Sequence, residues 1–187
     1  LEVITKKNKD EYIRPIALLQ AEQEKEDENK VTVGNIKNFL MKELKVPEEE
    51  IAIKTSKNND LEGVNLFSQK CKIRYIITVS ALAEGWDCSF AYILISVANI
   101  GAKVAVEQII GRIMRLPNVK EKKQEDLNYS YVFASARNFN EAADQIIKGL
   151  EDNGCSKSDV INVGDKQKKY DFDVSKVVKE DLAVPMM

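Results

Sequence analysis

Residues 105–117, AVEQIIGRIMRLP, put Gln108, Arg112 and Arg115 at positions i, i+4 and i+7. On a helix the three share one face, with Gly111 beside them. The planar, permanently charged fork of arginine matches the oxygens of a phosphate, so donors converging in this way suit an anionic target. A glycine inside a helix costs roughly 1 kcal/mol relative to alanine, a penalty that the close approach of a backbone or a ligand offsets. The same residues also read as a solvated helix face with a packing glycine, and the helix alone does not choose between the two.

A second stretch, ALAEGWD (81–87), follows a strongly β-branched run. In doubly wound sheets ligands sit beyond the carboxyl ends of the strands, and Gly85 permits a tight loop there. Asp87 either accepts from a ribose hydroxyl or an arginine, or caps its own loop. Trp86, the only tryptophan, reads as a packing anchor rather than a platform for a base.

The elements that would carry these groups alternate. RPIALLQAE (14–22) reads as a buried strand and the charged EQEKEDENK (22–30) as a solvated loop. VGNIKNFLMKELKV (33–46) has Ile36, Phe39, Leu40 and Leu44 at helical spacing, with Asn35 as a cap. Strands follow at 51–56, 73–82 and 91–99, with a short helix expected over LEGVNLFSQKC (61–71). After the arginine helix come a charged loop (118–128), a strand YSYVFAS (129–135) and a helix over 138–154 that Gly154 ends. Near-continuous apolar strands alternating with helices predict an α/β fold with a mostly parallel central sheet and helices on both faces.

Composition narrows the chemistry. The 187 residues include 28 basic and 30 acidic side chains, a formal charge of −2, so any contact with nucleic acid is local rather than driven by a global field. There is no histidine, which excludes Ser-His-Asp triads, Cys-His nucleophiles and His-ligated metals. Three scattered cysteines, Cys71, Cys88 and Cys155, fit free thiols in a reducing cytoplasm better than a disulfide framework or a zinc site. No apolar run approaches a membrane span, and the first residues lack a signal-peptide pattern. The start at LEVITKKNKD and the apolar end EDLAVPMM give the expectation of a piece of a longer protein, with residues 1–154 as one domain and 155–187 as an extension toward a further region.

Taken together, residues 77–117 resemble motifs V and VI of superfamily 2 helicases and translocases, in which a strand ends in a GxD loop and a later helix carries QxxGRxxR. EGWDCSFAYIL followed by EQIIGRIMR looks most like the restriction (Res) subunit of type III restriction-modification enzymes. RPIALLQAE is similar to the strand of motif IV, so the likeness spans about residues 12–150.

The resemblance implies a RecA-like three-layer domain, the second of two that enclose ATP. Arg115 would be the arginine finger, Arg112 a second γ-phosphate contact and Gln108 a residue placing nucleotide or water. Gly85 and Asp87 would lie near the ribose, and Gly111 would let the arginine helix approach the cleft. Thr55, Ser56 and Ser80 fall where hydroxyls of this superfamily meet nucleic-acid phosphates, although each also reads as an ordinary strand-end hydroxyl.

Neither a GxxxxGK[ST] loop nor a DEAD- or DEAH-type box occurs, so the β-phosphate and Mg2+ ligands are expected on a missing first RecA-like domain. The chain alone is therefore expected not to hydrolyse ATP. The implied partners are double-stranded DNA, that first domain and a methyltransferase subunit. The alternatives are another superfamily 2 motor for DNA repair or RNA remodelling, and a non-catalytic α/β interaction module.

Overall fold

The computed structural model describes residues 1–7, 12–22, 30–79, 88–97, 122–134, 147–148 and 151. Its elements are α1 (Glu2–Lys7), β1 (Ile16–Gln20), α2 (Val33–Lys42), β2 (Ile51–Lys54), β3 (Tyr75–Thr78), β4 (Ala91–Ser96) and β5 (Tyr131–Ala134). Single 3-10 turns at Glu48–Glu50 and Glu125–Asn128 lead into β2 and β5. The strands form one sheet in the order β2-β3-β1-β4-β5, and every pairing is parallel. The expected α/β fold with a parallel sheet is therefore present. β1 to β4 are shorter than the apolar runs that carry them.

Alternation sorts the side chains onto two faces. Ala17, Leu19 and Ile77 point toward α2, which lays Ile36 and Leu40 on them. The opposite face carries the in-register row Ala52, Ile76, Leu18, Leu94 and Val132. There Leu66, Phe90 and Leu127 close the core, and Ile4 of α1 packs against it. β1 is buried along its whole length, as a central strand covered on both faces must be.

α2 starts three residues earlier than a cap at Asn35 would place it. Thr32, not Asn35, is the N-cap, and Asn35 sits at the third helical position. The Asn35 N–H donates to Thr32 Oγ1 (3.4 Å) while the Thr32 N–H donates to Asn35 Oδ1 (3.0 Å), a reciprocal capping box. The chain leaves the helix at Lys45 (φ 55°), so Leu44 lies beyond the last turn and is exposed rather than part of the core.

Residues 61–71 are a run of turns, not the short helix expected. Val64, Ser68 and Cys71 each donate their N–H three residues back, to Leu61, Asn65 and Ser68. Gly63 has φ +71°, outside helical space. Asn65 Oδ1 accepts from the Phe67 N–H and Ser68 Oγ from the Lys70 N–H, local bonds that compete with a helix. The decisive competitor is Arg14. Its guanidinium, 4% exposed, donates to the carbonyls of Leu66, Ser68, Cys71 and Ile73 and to the Tyr12 hydroxyl. Carbonyls turned toward Arg14 are lost to a helical ladder.

The outer edge of β2 is covered by its own return loop. The Ile53 N–H donates to Asp60 Oδ2 (2.8 Å), and the Asp60 N–H donates to the Ile53 carbonyl (3.0 Å). This leaves little free ladder for a stray strand. Ile147, Lys148 and Glu151, within the helix expected over 138–154, are helical. The extension 155–187 lies outside the described residues.

Two expectations follow. Arg14→Met removes every donor from the four carbonyls and should cost about 3 kcal/mol or more. Arg14→Lys should recover little, since one ammonium cannot span them; denaturant midpoints of both variants give the measurement. The second concerns alkali. Tyr129, donating to Glu125 Oε1 (3.1 Å), is held above the ordinary 10.0 chiefly by that hydrogen bond, and Tyr131 chiefly by burial. The fold holds these protons more tightly than the unfolded chain does. Their contribution is therefore complete below about pH 10 and is lost as pH rises through the folded values. Thermal midpoints should fall above that pH, and by less in a Tyr129→Phe/Tyr131→Phe variant.

Candidate functional site at the carboxyl edge

On the face opposite α2, the row beyond the apolar one is polar. Lys54, Thr78, Gln20 and Ser96 stand in register at the last ladder position of β2, β3, β1 and β4, followed by Ala134 of β5. Thr78 is 2% exposed, Gln20 8% and Ser96 0%. The runs of β1 to β4 end on a polar side chain at the same level: Thr78, Gln20 and Ser96 are uncharged hydrogen-bonding groups, and Lys54 places a cation on the outermost strand. At its centre the Ser96 hydroxyl donates to Gln20 Oε1 (2.9 Å), tying β1 to β4.

The backbone continues the tie. Ala21 N–H donates to the Thr78 carbonyl (2.7 Å) and Val97 N–H to the Gln20 carbonyl (3.1 Å), so β1 is held to both neighbours at its exit. Just beyond, Glu22 N–H donates to the Val31 carbonyl and Val31 N–H to Glu22 Oε2, both at 2.9 Å. The two ends of the acidic connection from β1 to α2 are thus pinned together.

Of the residues singled out in the sequence, Thr55 and Ser56 are described. They follow β2 at this same edge, on its outermost strand. Thr55 Oγ1 accepts from the N–H groups of Asn58 (3.0 Å) and Lys57 (3.3 Å), which shapes the turn, and Ser56 is exposed. Three strand spacings of about 4.8 Å put this turn roughly 14 Å from the end of β4. Gln108, Gly111, Arg112 and Arg115, like Ser80, Gly85 and Asp87, lie outside the described residues. Cys88 is buried and Cys71 partly so, both as free thiols. Among the described residues no group of three His, Cys, Asp or Glu is placed to hold a metal ion, and no helix is long and apolar enough to cross a membrane.

Gln20 and Ser96 were missed by motif reasoning. Their signal was present: one polar residue closing an otherwise apolar strand, in IALLQ and again in AYILIS.

No family model matches the chain, and no curated protein matches it in sequence. Among solved structures it is similar to the ATP-dependent type ISP restriction-modification enzyme LlaBIII bound to DNA. That match has 18% identity and a TM-score of 0.41, over 76% of this chain and 10% of that one. It is also similar to the C-terminal domain of S. cerevisiae Dbp5 bound to Gle1 and IP6, with 15% identity and a TM-score of 0.43, over 95% of this chain and 88% of that one. The chain spans about a tenth of the length of the restriction-modification enzyme.

Ser96→Ala should cost about 1–2 kcal/mol, the worth of a buried hydrogen bond whose partner is left with an unmatched acceptor. Thr55→Val should cost about 1 kcal/mol through its turn, with Thr55→Ser near neutral. Equilibrium unfolding of the three variants checks both figures. A Ser96→Ala protein as stable as the parent would mean that the Gln20 link bears no load.

Proposed function

We propose that the chain is the second RecA-like motor domain of an ATP-dependent DNA helicase or translocase, of the kind found in type III restriction endonuclease subunits. The observation that supports this most is the strand order. β3 and β4 flank β1, so their carboxyl ends lie roughly 10 Å apart, two strand spacings. The stretch that begins after β3 carries Gly85 and Asp87. The stretch that begins after β4 carries Gln108, Gly111, Arg112 and Arg115. Both groups therefore follow strands that end at the one edge where an α/β sheet takes ligands.

In this reading Arg115 is the finger and Arg112 its companion on the γ-phosphate, while Gln108 helps place the nucleotide or the attacking water. Gly85 and Asp87 serve the ribose side. Gly111 keeps the helix close to the cleft. Charge spreads over the phosphoryl oxygens as the bond breaks, and guanidinium groups already in place stabilise it. Mg2+, held by the first domain, would neutralise the β- and γ-phosphates; no residue of this chain is assigned to it. Thr55, Ser56 and Ser80 are the proposed contacts to the phosphates of double-stranded DNA. The first RecA-like domain and a methyltransferase subunit are the proposed protein partners, in the cytoplasm. Without the first domain the chain hydrolyses no ATP.

Arg115 decides the matter. In the full-length protein Arg115→Lys should reduce DNA-stimulated ATP turnover about as severely as Arg115→Ala, by about 10³-fold or more, because a point charge on a flexible stem does not reproduce the fork. Nucleotide affinity should change far less. A Lys variant with near-normal turnover would leave the helix as packing and favour the interaction-module reading.

A further inference from the structure

Among the described residues Gln20 makes one side-chain hydrogen bond, and that bond uses its oxygen: Oε1 accepts from Ser96 Oγ at 2.9 Å. The amide nitrogen has no acceptor among the described residues, and it is not one of the fully buried atoms without a partner, so the small exposed part of Gln20 (8%) reaches it. A side chain nine-tenths buried normally has its donors matched, and a glutamine amide carries two. Ser96, fully buried, fixes the plane of the amide, so the unmatched N–H pair is presented rather than free to turn. It stands on the central strand, at the last position of the ladder, between the exits of β3 and β4.

We propose that Gln20 is a nucleotide-contacting residue, whose Ser96-anchored amide donates to an oxygen of the nucleoside triphosphate bound at this edge. The inference rests on the reading that this edge takes ATP. The recess of the amide favours a nucleotide over a nucleic-acid backbone. A donor at the end of a nine-tenths-buried residue on the central strand is reached by a small molecule seated over the strand ends, whereas a duplex rides on exposed rim groups such as Ser56. Its neutrality fits a role in orientation: the arginines bring charge, and the amide selects where one oxygen sits.

The test is ATP and ADP binding to the full-length protein by calorimetric titration, with DNA affinity and the thermal midpoint measured beside it. Gln20→Met keeps the shape and removes the donors. Gln20→Glu keeps an acceptor for the Ser96 hydroxyl but turns an anionic oxygen toward the ligand. Gln20→Met should weaken ATP binding about tenfold and Gln20→Glu more, the scale of one lost hydrogen bond with and without added repulsion, while DNA affinity stays within about twofold. Wild-type ATP affinity in a folded Gln20→Met protein overturns the proposal and leaves the motor reading standing. Loss of DNA affinity with ATP binding intact overturns it in favour of a nucleic-acid contact. A wild-type protein that binds no nucleotide sinks both readings together. Should Gln20→Met fail to fold, Ser96→Ala carries the test: loosening the anchor should weaken ATP binding about threefold, and unchanged affinity there is equally fatal.

Discussion

The capture of four backbone carbonyls by Arg14 is the interaction on which the rest of the sheet is hung. An arginine cannot shed its charge, so a buried one must be surrounded by acceptors. Here they come from Leu66, Ser68, Cys71 and Ile73, all in the segment that precedes β3. Since Arg14 itself sits two residues before β1, one side chain sets how the β3 approach meets the β1 approach. The next bond in line, from the Ala17 N–H to the Arg74 carbonyl at 2.8 Å, starts the parallel ladder in register. A slip by one residue would turn every apolar side chain of β1 to the wrong face, and the guanidinium makes such a slip costly before the ladder begins.

The two ends of β1 are built on opposite principles. At the amino end a charge is saturated by dipoles and leaves nothing to offer a ligand, which is what stability requires. At the carboxyl end the groups are neutral, and the link between Gln20 and Ser96 uses the acceptor of the amide while its donors stay unmatched among the described residues. The same asymmetry runs through α/β sheets generally, with ligands gathered at the carboxyl edge. Aromatic packing follows it too: Phe90, at the amino end of β4, takes Tyr12 and Phe67 edge-on at 6.1 and 5.1 Å.

Apolar periodicity was enough to read the strands, because a strand buried on both faces must be nearly continuous in Ile, Leu, Val and Ala. It did not reveal order, which the crossover from β3 past β1 to β4 decides through long-range packing. It also misjudged 61–71, where Leu61, Val64 and Phe67 recur every three residues. What ruled out the helix was the claim of Arg14 on its carbonyls, and no local pattern announces a partner more than fifty residues away. Thr32 escaped notice beside Asn35, since both are capping residues and geometry alone assigns the roles. Leu127, fully buried, was hidden in a charged loop for the same reason: its surroundings in sequence are polar, its surroundings in space are not. Of the expected site, Thr55 and Ser56 are seen at the carboxyl edge, and Gln20 and Ser96 emerge only when separate strands are laid in register.

A polar row whose three inner members are Thr78, Gln20 and Ser96, with Lys54 only on the outermost strand, has an electrostatic consequence. A carboxylate at the level of Gln20 would repel a polyanion, and a lysine there would hold one in every state of the reaction with equal force. Uniform attraction of that sort lowers the ground state along with the transition state and accelerates nothing. Neutral donors fix geometry while leaving the charge balance to groups that arrive from outside the floor, and arginines on a following helix are such groups. The near-zero net charge of the chain points the same way. With 28 basic against 30 acidic side chains, long-range attraction for nucleic acid or nucleotide is slight, and affinity must come from a few placed contacts. In a domain of this design specificity depends on assembly: the site acquires its full field only when the neighbouring parts of the protein close on the edge.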